Sequence, residues 1–346
     1  MPLDEPSWWY GDRRSAIAAC LAPVASLYGW AAVRRFKSGG EPYHSRLPVI
    51  CVGNLTAGGT GKTPLVLHLC EHLRAMGRQP IALTRGYGGR HVGPHWVSES
   101  DTADDVGDEA LLLARAAPTI VARDRAEGAR AAEARFGRDA ALVMDDGLQN
   151  PSLAKDLTIA VVDGNRALGN GRVMPAGPLR APLAFQLALA QAIVVNGGAS
   201  DDAAGWLRQG FAGPVLRTTA VPDGSTDWLR GRRLVAWAGI GSPQRFFGLL
   251  DDRGAELVQC VAFRDHQRLT QADAARLLDL SRALGADLVS TEKDMARLSG
   301  CEGTLAELAA ATKSLKIKLN FAAEDAPQLH ALVNETLAQH AKRQIA

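Results

Sequence analysis

The chain has 346 residues, 47% of them hydrophobic and 22% charged, with a formal net charge of +2. That length holds two ordinary domains, or one large one with an appendage, and the composition belongs to a globular chain, not a disordered one. Near-balanced charge without a basic stripe gives no reason to expect a nucleic-acid partner, and five scattered cysteines without a C-x-x-C pair read as reduced thiols, not as a disulfide framework or zinc site.

From Ser15 to Val33 no residue is charged. Arg13 and Arg14 precede this run, Arg34, Arg35 and Lys37 follow it, and Trp8, Trp9 and Tyr10 stand upstream, where interfacial aromatic rings are expected. The segment reads as membrane-associated, either as a monotopic anchor with a basic collar or as a spanning helix. Its alanine content, Pro23 and Gly29 make spanning marginal, and a buried Ala-rich helix packed on the protein's own core is the competing reading. A secretory signal fits poorly, because the first basic residues come after an acidic, Trp-rich stretch.

Apolar β-rich runs then alternate with helical stretches. Runs at 47–53, 80–86, 119–124, 140–147, 157–164 and 192–197 are continuous in Val, Ile and Leu, which predicts strands buried on both faces. Helices are expected near 64–76, 108–117 and 125–136, so the pattern is that of an α/β fold, a P-loop NTPase-like parallel sheet flanked by helices. A second, smaller α/β lobe is expected from runs at 233–239, 256–263, 286–294 and 314–321, with helices near 243–251, 270–284, 303–313 and 325–342. The Pro- and Gly-containing stretch at 218–231 marks the boundary. The expected division is 1–37 anchor, 38–217 P-loop core, 218–231 connector and 232–346 C-terminal lobe.

The strongest chemical signal is the segment Gly53 to Thr63, GNLTAGGTGKT, between an apolar strand and an amphipathic helix. Asn54, Thr56, Ala57, Gly58, Gly59, Thr60 and Gly61 form a loop whose backbone N–H groups can turn around phosphate oxygens. Lys62 is expected at the β- and γ-phosphates of ATP, and Thr63 at Mg²⁺, with Pro64 suited to the first helical turn. The strict motif fails at one position, because Thr56 stands where the first glycine belongs, and Gly58 and Gly59 make this a variant loop.

Asp145 and Asp146 end the run AALVM, at the strand edge that faces the ligand crevice in parallel sheets. Adjacent strand residues point to opposite faces, so one carboxylate is expected to hold Mg²⁺ and the other to fix a loop or the acceptor. Asp108 opens a helix, where it can be an N-cap or a catalytic group. Arg123 and Arg125 can meet phosphate or be surface charges.

In these residues the chain resembles the tetraacyldisaccharide 4′-kinases of lipid A biosynthesis. The likeness is carried by GGTGKTP, Arg85-Gly86-Tyr87-Gly88, Val106-Gly107-Asp108-Glu109, DDGLQN at 145–150, the tract 169–180 (GNGRVMPAGPLR), Phe263-Arg264-Asp265-His266 and Thr291-Glu292-Lys293-Asp294. It implies transfer of the ATP γ-phosphate to the 4′-hydroxyl of an acylated glucosamine disaccharide 1-phosphate, at the cytoplasmic face of the inner membrane, by two lobes that close on the nucleotide. It implies Lys62 and Thr63 at phosphate and Mg²⁺, and Asp108 as general base paired with His266. It places Asp145, Asp146 and Gln149 on the metal and acceptor side. Asn170, Arg172 and Arg180 make a polar, basic loop suited to the acceptor's hydroxyls and 1-phosphate. The expected Glu after the Pro-Leu-Arg segment is Ala181 here. No obligate protein partner is implied. The rival classes are a partitioning or metal-chaperone type P-loop ATPase, which usually carries an additional Lys near the loop's start, and a membrane-tethered scaffold with a vestigial nucleotide fold.

Overall fold

The structure is a computed structural model that describes residues 6–11, 15–198, 205, 207 and 210–345. Arg13 and Arg14, expected to begin the basic collar, lie outside them. The strands in chain order are β1 (Val49–Asn54), β2 (Gln79–Thr84), β3 (His95–Trp96), β4 (Thr119–Val121), β5 (Ala140–Asp145), β6 (Leu157–Asp163), β7 (Ala192–Asn196), β8 (Val215–Pro222), β9 (Arg233–Ala238), β10 (Glu256–Ala262), β11 (Asp287–Thr291), β12 (Thr312–Leu315) and β13 (Ile317–Phe321). Nine of them form one sheet in the order β13-β8-β7-β6-β1-β5-β2-β4-β3, parallel except for β13 and β3 at its two edges. A second sheet, β10-β9-β11-β12, is parallel throughout.

β1, β5 and β6 are buried at every position, which is why their sequences are continuous apolar runs instead of alternating ones. The helix Lys62–Ala75 covers β1 and β5 with Leu65, Leu69 and Leu73, all 0% exposed, four residues apart on one face. Each such burial contributes about 1.5–3 kcal/mol. The helix therefore lies firmly on the sheet and fixes its N-terminus over the end of β1.

Two expected boundaries shift. Residues 218–222, read as connector, belong to β8, so the crossing to the second sheet begins after Pro222. The run at 314–321, read as one strand, is two. β12 completes the small sheet, Lys316 turns the chain, and β13 returns to pair antiparallel with β8. The final helix, Asp325–Ile345, then packs Leu329, Val333 and Leu337 into the same core as the P-loop helix. The second lobe is thus an insertion of about 233–315 between parts of the larger body.

The N-terminal run forms helices Ala16–Cys20 and Ala22–Lys37, divided at Leu21. Sixteen residues in the longer one span about 24 Å at 1.5 Å per residue, short of the ~30 Å hydrocarbon core. No helix among the described residues is long and apolar enough to cross a membrane. Ala25 and Gly29 face the body, where a Cβ on Gly29 would meet Pro182 at 3.3 Å. Val24, Leu27, Tyr28 and Trp30 face outward, with Leu27 66% and Trp30 58% exposed. Trp8 and Trp9, expected at a headgroup boundary, both donate their indole N–H groups to the Pro175 carbonyl (3.5 and 3.0 Å), and Trp9 is buried.

Candidate active site

The loop after β1 is shaped from within. The Asn54 amide donates to the Gly58 carbonyl (3.1 Å), and its side-chain oxygen accepts from the Thr60 hydroxyl. Ala57 N donates to Pro178 O (2.8 Å), and Thr56 bridges Leu179, so the 169–180 tract lies along the loop's start. Gly61 has φ +92°, and a Cβ there would collide with the Asn196 amide, whose Nδ2 donates to Thr60 O (3.1 Å). Both facts require glycine before the lysine. Lys62 and Thr63 then open the helix, placing its N–H groups and positive dipole end at the loop, as an anion site needs.

The two strand-end acids are in different environments. Asp145 is completely buried; Oδ2 accepts from the Thr84 hydroxyl at 3.5 Å, and Oδ1 has no hydrogen-bond partner among the described residues. Burial pushes its carboxyl upward, and the charge of Glu109 adds to the effect. Asp146 adopts φ +50°, which turns its side chain to Arg180 Nη1 (2.6 Å) and Lys62 Nζ (3.7 Å). Burial opposes its ionisation, but these cations outweigh it and hold the carboxyl well below the usual range. An orphaned, buried carboxylate oxygen fits a hard divalent cation. Arg125, which the sequence left open as a surface charge, is 2% exposed and donates from Nη2 to Asp145 O at 3.4 Å.

Asp108 is not an N-cap. Gly107 holds that position, and Asp108 is the first residue of the helix Asp108–Ala114, 5% exposed. Oδ1 accepts from Glu109 N (2.9 Å), and Oδ2 faces His266 Nδ1 (3.2 Å) and Arg297 Nε (2.6 Å), both from the second lobe. Burial would raise its carboxyl, yet the hydrogen bond to His266 and the charges of Lys293 and Arg297 hold it well below the ordinary carboxylate range. His266 sits at φ +58°, its ring packed edge-to-face with Tyr87, centroids 5.2 Å apart.

The lobes meet at two further places. Gly59 of the phosphate loop lies against Gly241, so that a Cβ on Gly59 would stand 3.3 Å from Gly241 Cα. Arg245 donates to Asp163 (2.9 Å) and to Asn196 O (2.8 Å) at the ends of β6 and β7. Between them opens a cavity of about 420 Å³, with Lys62, Thr63, Glu109 and Lys293 at its polar end and Phe246 and Leu249 on an apolar wall. That combination accommodates a polyphosphate with an aromatic base.

Two residues expected at the acceptor spend side-chain hydrogen bonds within the protein. Asn170 is buried; its amide donates to Trp8 O (3.1 Å) and Ala176 O (2.8 Å), and its oxygen accepts from Arg172 N (3.0 Å). It ties the N-terminal segment to the tract. Gln149 donates to Asn54 O (2.8 Å) and to Gln186 Oε1 (2.7 Å), bracing the phosphate loop from behind. Ala181 is 1% exposed, and its carbonyl accepts from the Gln186 amide (2.8 Å), so this position faces the interior. Sequence reasoning missed Arg297, Gln186, Arg245 and Asn196. Only Arg297 carried a local signal, its i+3 spacing from Asp294 at the start of a helix.

The chain is similar to known proteins along most of its length. The family model described as LpxK, tetraacyldisaccharide-1-P 4′-kinase, matches residues 17–338. A tetraacyldisaccharide 4′-kinase of Rhodospirillum centenum is 48% identical, over 93% of this chain and 94% of its own. One from Nitrobacter winogradskyi is 46% identical, over 97% and 98%. A crystal structure of LpxK from Aquifex aeolicus, described as in complex with ATP, shares the fold at TM-score 0.71 and 24% identity, covering 93% of this chain and 99% of that one.

Proposed function

Starting from a chain that belongs to the tetraacyldisaccharide-1-P 4′-kinase family, we propose how its residues divide the work of that reaction. The reaction is ATP-dependent phosphorylation of the 4′-hydroxyl of the lipid A disaccharide precursor, a phosphotransfer to an alcohol. The observation that carries the reading is the contact of Asp108 with His266, an acid of one lobe and an imidazole of the other, beside the phosphate loop. Asp108 takes the proton of the attacking hydroxyl, and His266 orients it. The pair is complete only when the lobes close, which limits idle hydrolysis of ATP.

Asn54 and Thr56 to Gly61 shape the backbone cradle, and Lys62 meets the transferring phosphoryl group. Thr63 and Asp145 would hold Mg²⁺, the unpartnered Oδ1 of Asp145 supporting that choice over Asp146. The ion, when bound, neutralises phosphate charge. Asp146 instead links Arg180 to Lys62, coupling the acceptor tract to the phosphate loop. Arg172 and Arg180 lie on the side taken by the acceptor's sugar and 1-phosphate. With ATP and the acylated disaccharide 1-phosphate, ADP and a 4′-phosphorylated product should form in equal amounts, and an acceptor lacking the 4′-hydroxyl should give neither. ADP released at the same rate without acceptor would assign the chain to the ATP-driven switches instead.

The outward row of Val24, Leu27, Tyr28 and Trp30, followed by Arg34, Arg35 and Lys37, suits the cytoplasmic face of the inner membrane, lying in the interface. Replacing Leu27 and Trp30 by glutamate removes two side chains worth about 1.5–3 kcal/mol each when buried. Partition onto phosphatidylglycerol-containing vesicles should fall at least about tenfold, with turnover on detergent-dispersed acceptor retained. Unchanged sedimentation would place the membrane contact elsewhere.

A further inference from the structure

The segment Thr291-Glu292-Lys293-Asp294 brings Lys293 to the polar end of the cavity, and its remaining contacts reach the Asp108–His266 pair. It ends β11 and opens the helix Glu292–Arg297, capped by Thr291, whose hydroxyl accepts from Asp294 N (3.1 Å). Asp294 is 2% exposed, and its Oδ1 accepts from Gly239 N (3.0 Å) and Arg297 Nη1 (2.7 Å). The turn is thereby pinned to the end of β9, and its two cations project to the other lobe. Arg297 Nε donates to Asp108 Oδ2, and Lys293 Nζ donates to Glu109 Oε1 (3.1 Å). Lys293 Nζ also lies 3.3 Å from His266 Nε2.

Counting donors shows what this does. An ammonium has only protons to give, so it meets His266 Nε2 as an acceptor, and the ring proton sits on Nδ1, directed at Asp108 Oδ2. An ionised carboxylate offers about four lone-pair positions. Oδ2 accepts from Arg297 and His266, and Oδ1 accepts from Glu109 N. One position, on Oδ1, is left.

We propose that the Glu292–Arg297 helix is the positioning element of the reaction: Arg297 fixes the Asp108 carboxylate, and Lys293 sets the tautomer of His266, so that only Oδ1 is open to the incoming hydroxyl proton. The inference rests on Asp108 being the base. Neither residue touches the acceptor in this role; each acts through another side chain.

The charged groups around Asp108 are His266, Lys293 and Arg297 from the second lobe and Glu109 from its own helix. Asp265 Oδ1 stands behind them, 3.8 Å from Arg297, 3.8 Å from His266 Nε2, beyond hydrogen-bond length, and 3.6 Å from Lys293, and Asp294 is paired to Arg297. Removing the guanidinium leaves burial less opposed, so the Asp108 carboxyl rises and is ionised only at higher pH. Arg297→Gln should lower kcat by about tenfold or more, within the range general-base alignment supplies, with the KM for ATP little changed. The acidic limb of the kcat–pH profile should move to higher pH, and Arg297→Lys should restore its position in part. Lys293→Met, which leaves the Arg297–Asp108 contact in place, should also lower kcat, with a smaller displacement of the limb; this variant keeps the test available if Arg297→Gln does not fold. Unmoved pH profiles, with losses only in thermal stability or in KM, would overturn the proposal. If Asp108→Asn is itself near normal, the base assignment fails first; if it is slow while both positioning variants match wild type, only the positioning role fails.

Discussion

Lys62→Ala should lower kcat by about 10²–10³-fold, the cost typical of removing one preorganised group that stabilises transition-state charge. Lys62 is the first residue of the helix behind the phosphate loop and lines the cavity between the lobes, where the proposed reaction moves charge from ATP to acceptor. Its contact with Asp146 is long, at 3.7 Å, and Asp146 retains Arg180 at 2.6 Å when the lysine is gone. No buried charge is orphaned, and the helix keeps Leu65, Leu69 and Leu73 on the sheet. The melting temperature should therefore stay within a few degrees of wild type while turnover falls. Near-normal turnover in the folded variant would remove the phosphate-loop assignment.

Asp108 carries the second large effect. Loss of a general base costs about 10²–10⁴-fold, and the same range is expected for Asp108 variants, with ATP affinity largely preserved. The choice of substitution matters. Alanine would take the Asp108 carboxylate from Arg297, whose side chain is only 10% exposed; Asp294 at 2.7 Å would keep the guanidinium paired, but its buried Nε–H would lose its acceptor, at a cost of about 1–3 kcal/mol. Asp108→Asn keeps an acceptor for Arg297 and His266 while removing the basic oxygen, so kcat should fall with less loss of stability. A large rise in the Kd for ATP·Mg²⁺ with little change in kcat would move Asp108 to the metal side.

Much of this arrangement was legible in the chain. Buried parallel strands have to be apolar on both faces, so β1, β5, β6 and β7 stand out as uninterrupted runs, and the glycines before Lys62 mark a turn that no other residue permits. The pairing of Asp108 with His266 came from the resemblance alone, since 158 residues separate them. What stayed hidden depends on tertiary context. Nothing local distinguishes Lys316 as the point where a chain leaves one sheet for another, because both halves of SLKIKLNF have strand character. Trp8 and Trp9 have the composition of interfacial anchors, and only the Pro175 carbonyl shows that their N–H groups are engaged within the protein. Asn170 and Gln149 look like sugar-binding amides; their partners are backbone carbonyls and another amide, which no motif announces.

A double-mutant cycle on Asp108 and His266 reads out whether two lobes build one base. The measurement is kcat, at saturating ATP and acceptor, for wild type, Asp108→Asn, His266→Ala and the double variant. Residues that act as a unit lose their combined contribution when either is removed. The double variant should therefore be no more than a few-fold slower than the poorer single. If the two losses multiply, the residues work separately, and the base assembled across the cleft does not exist.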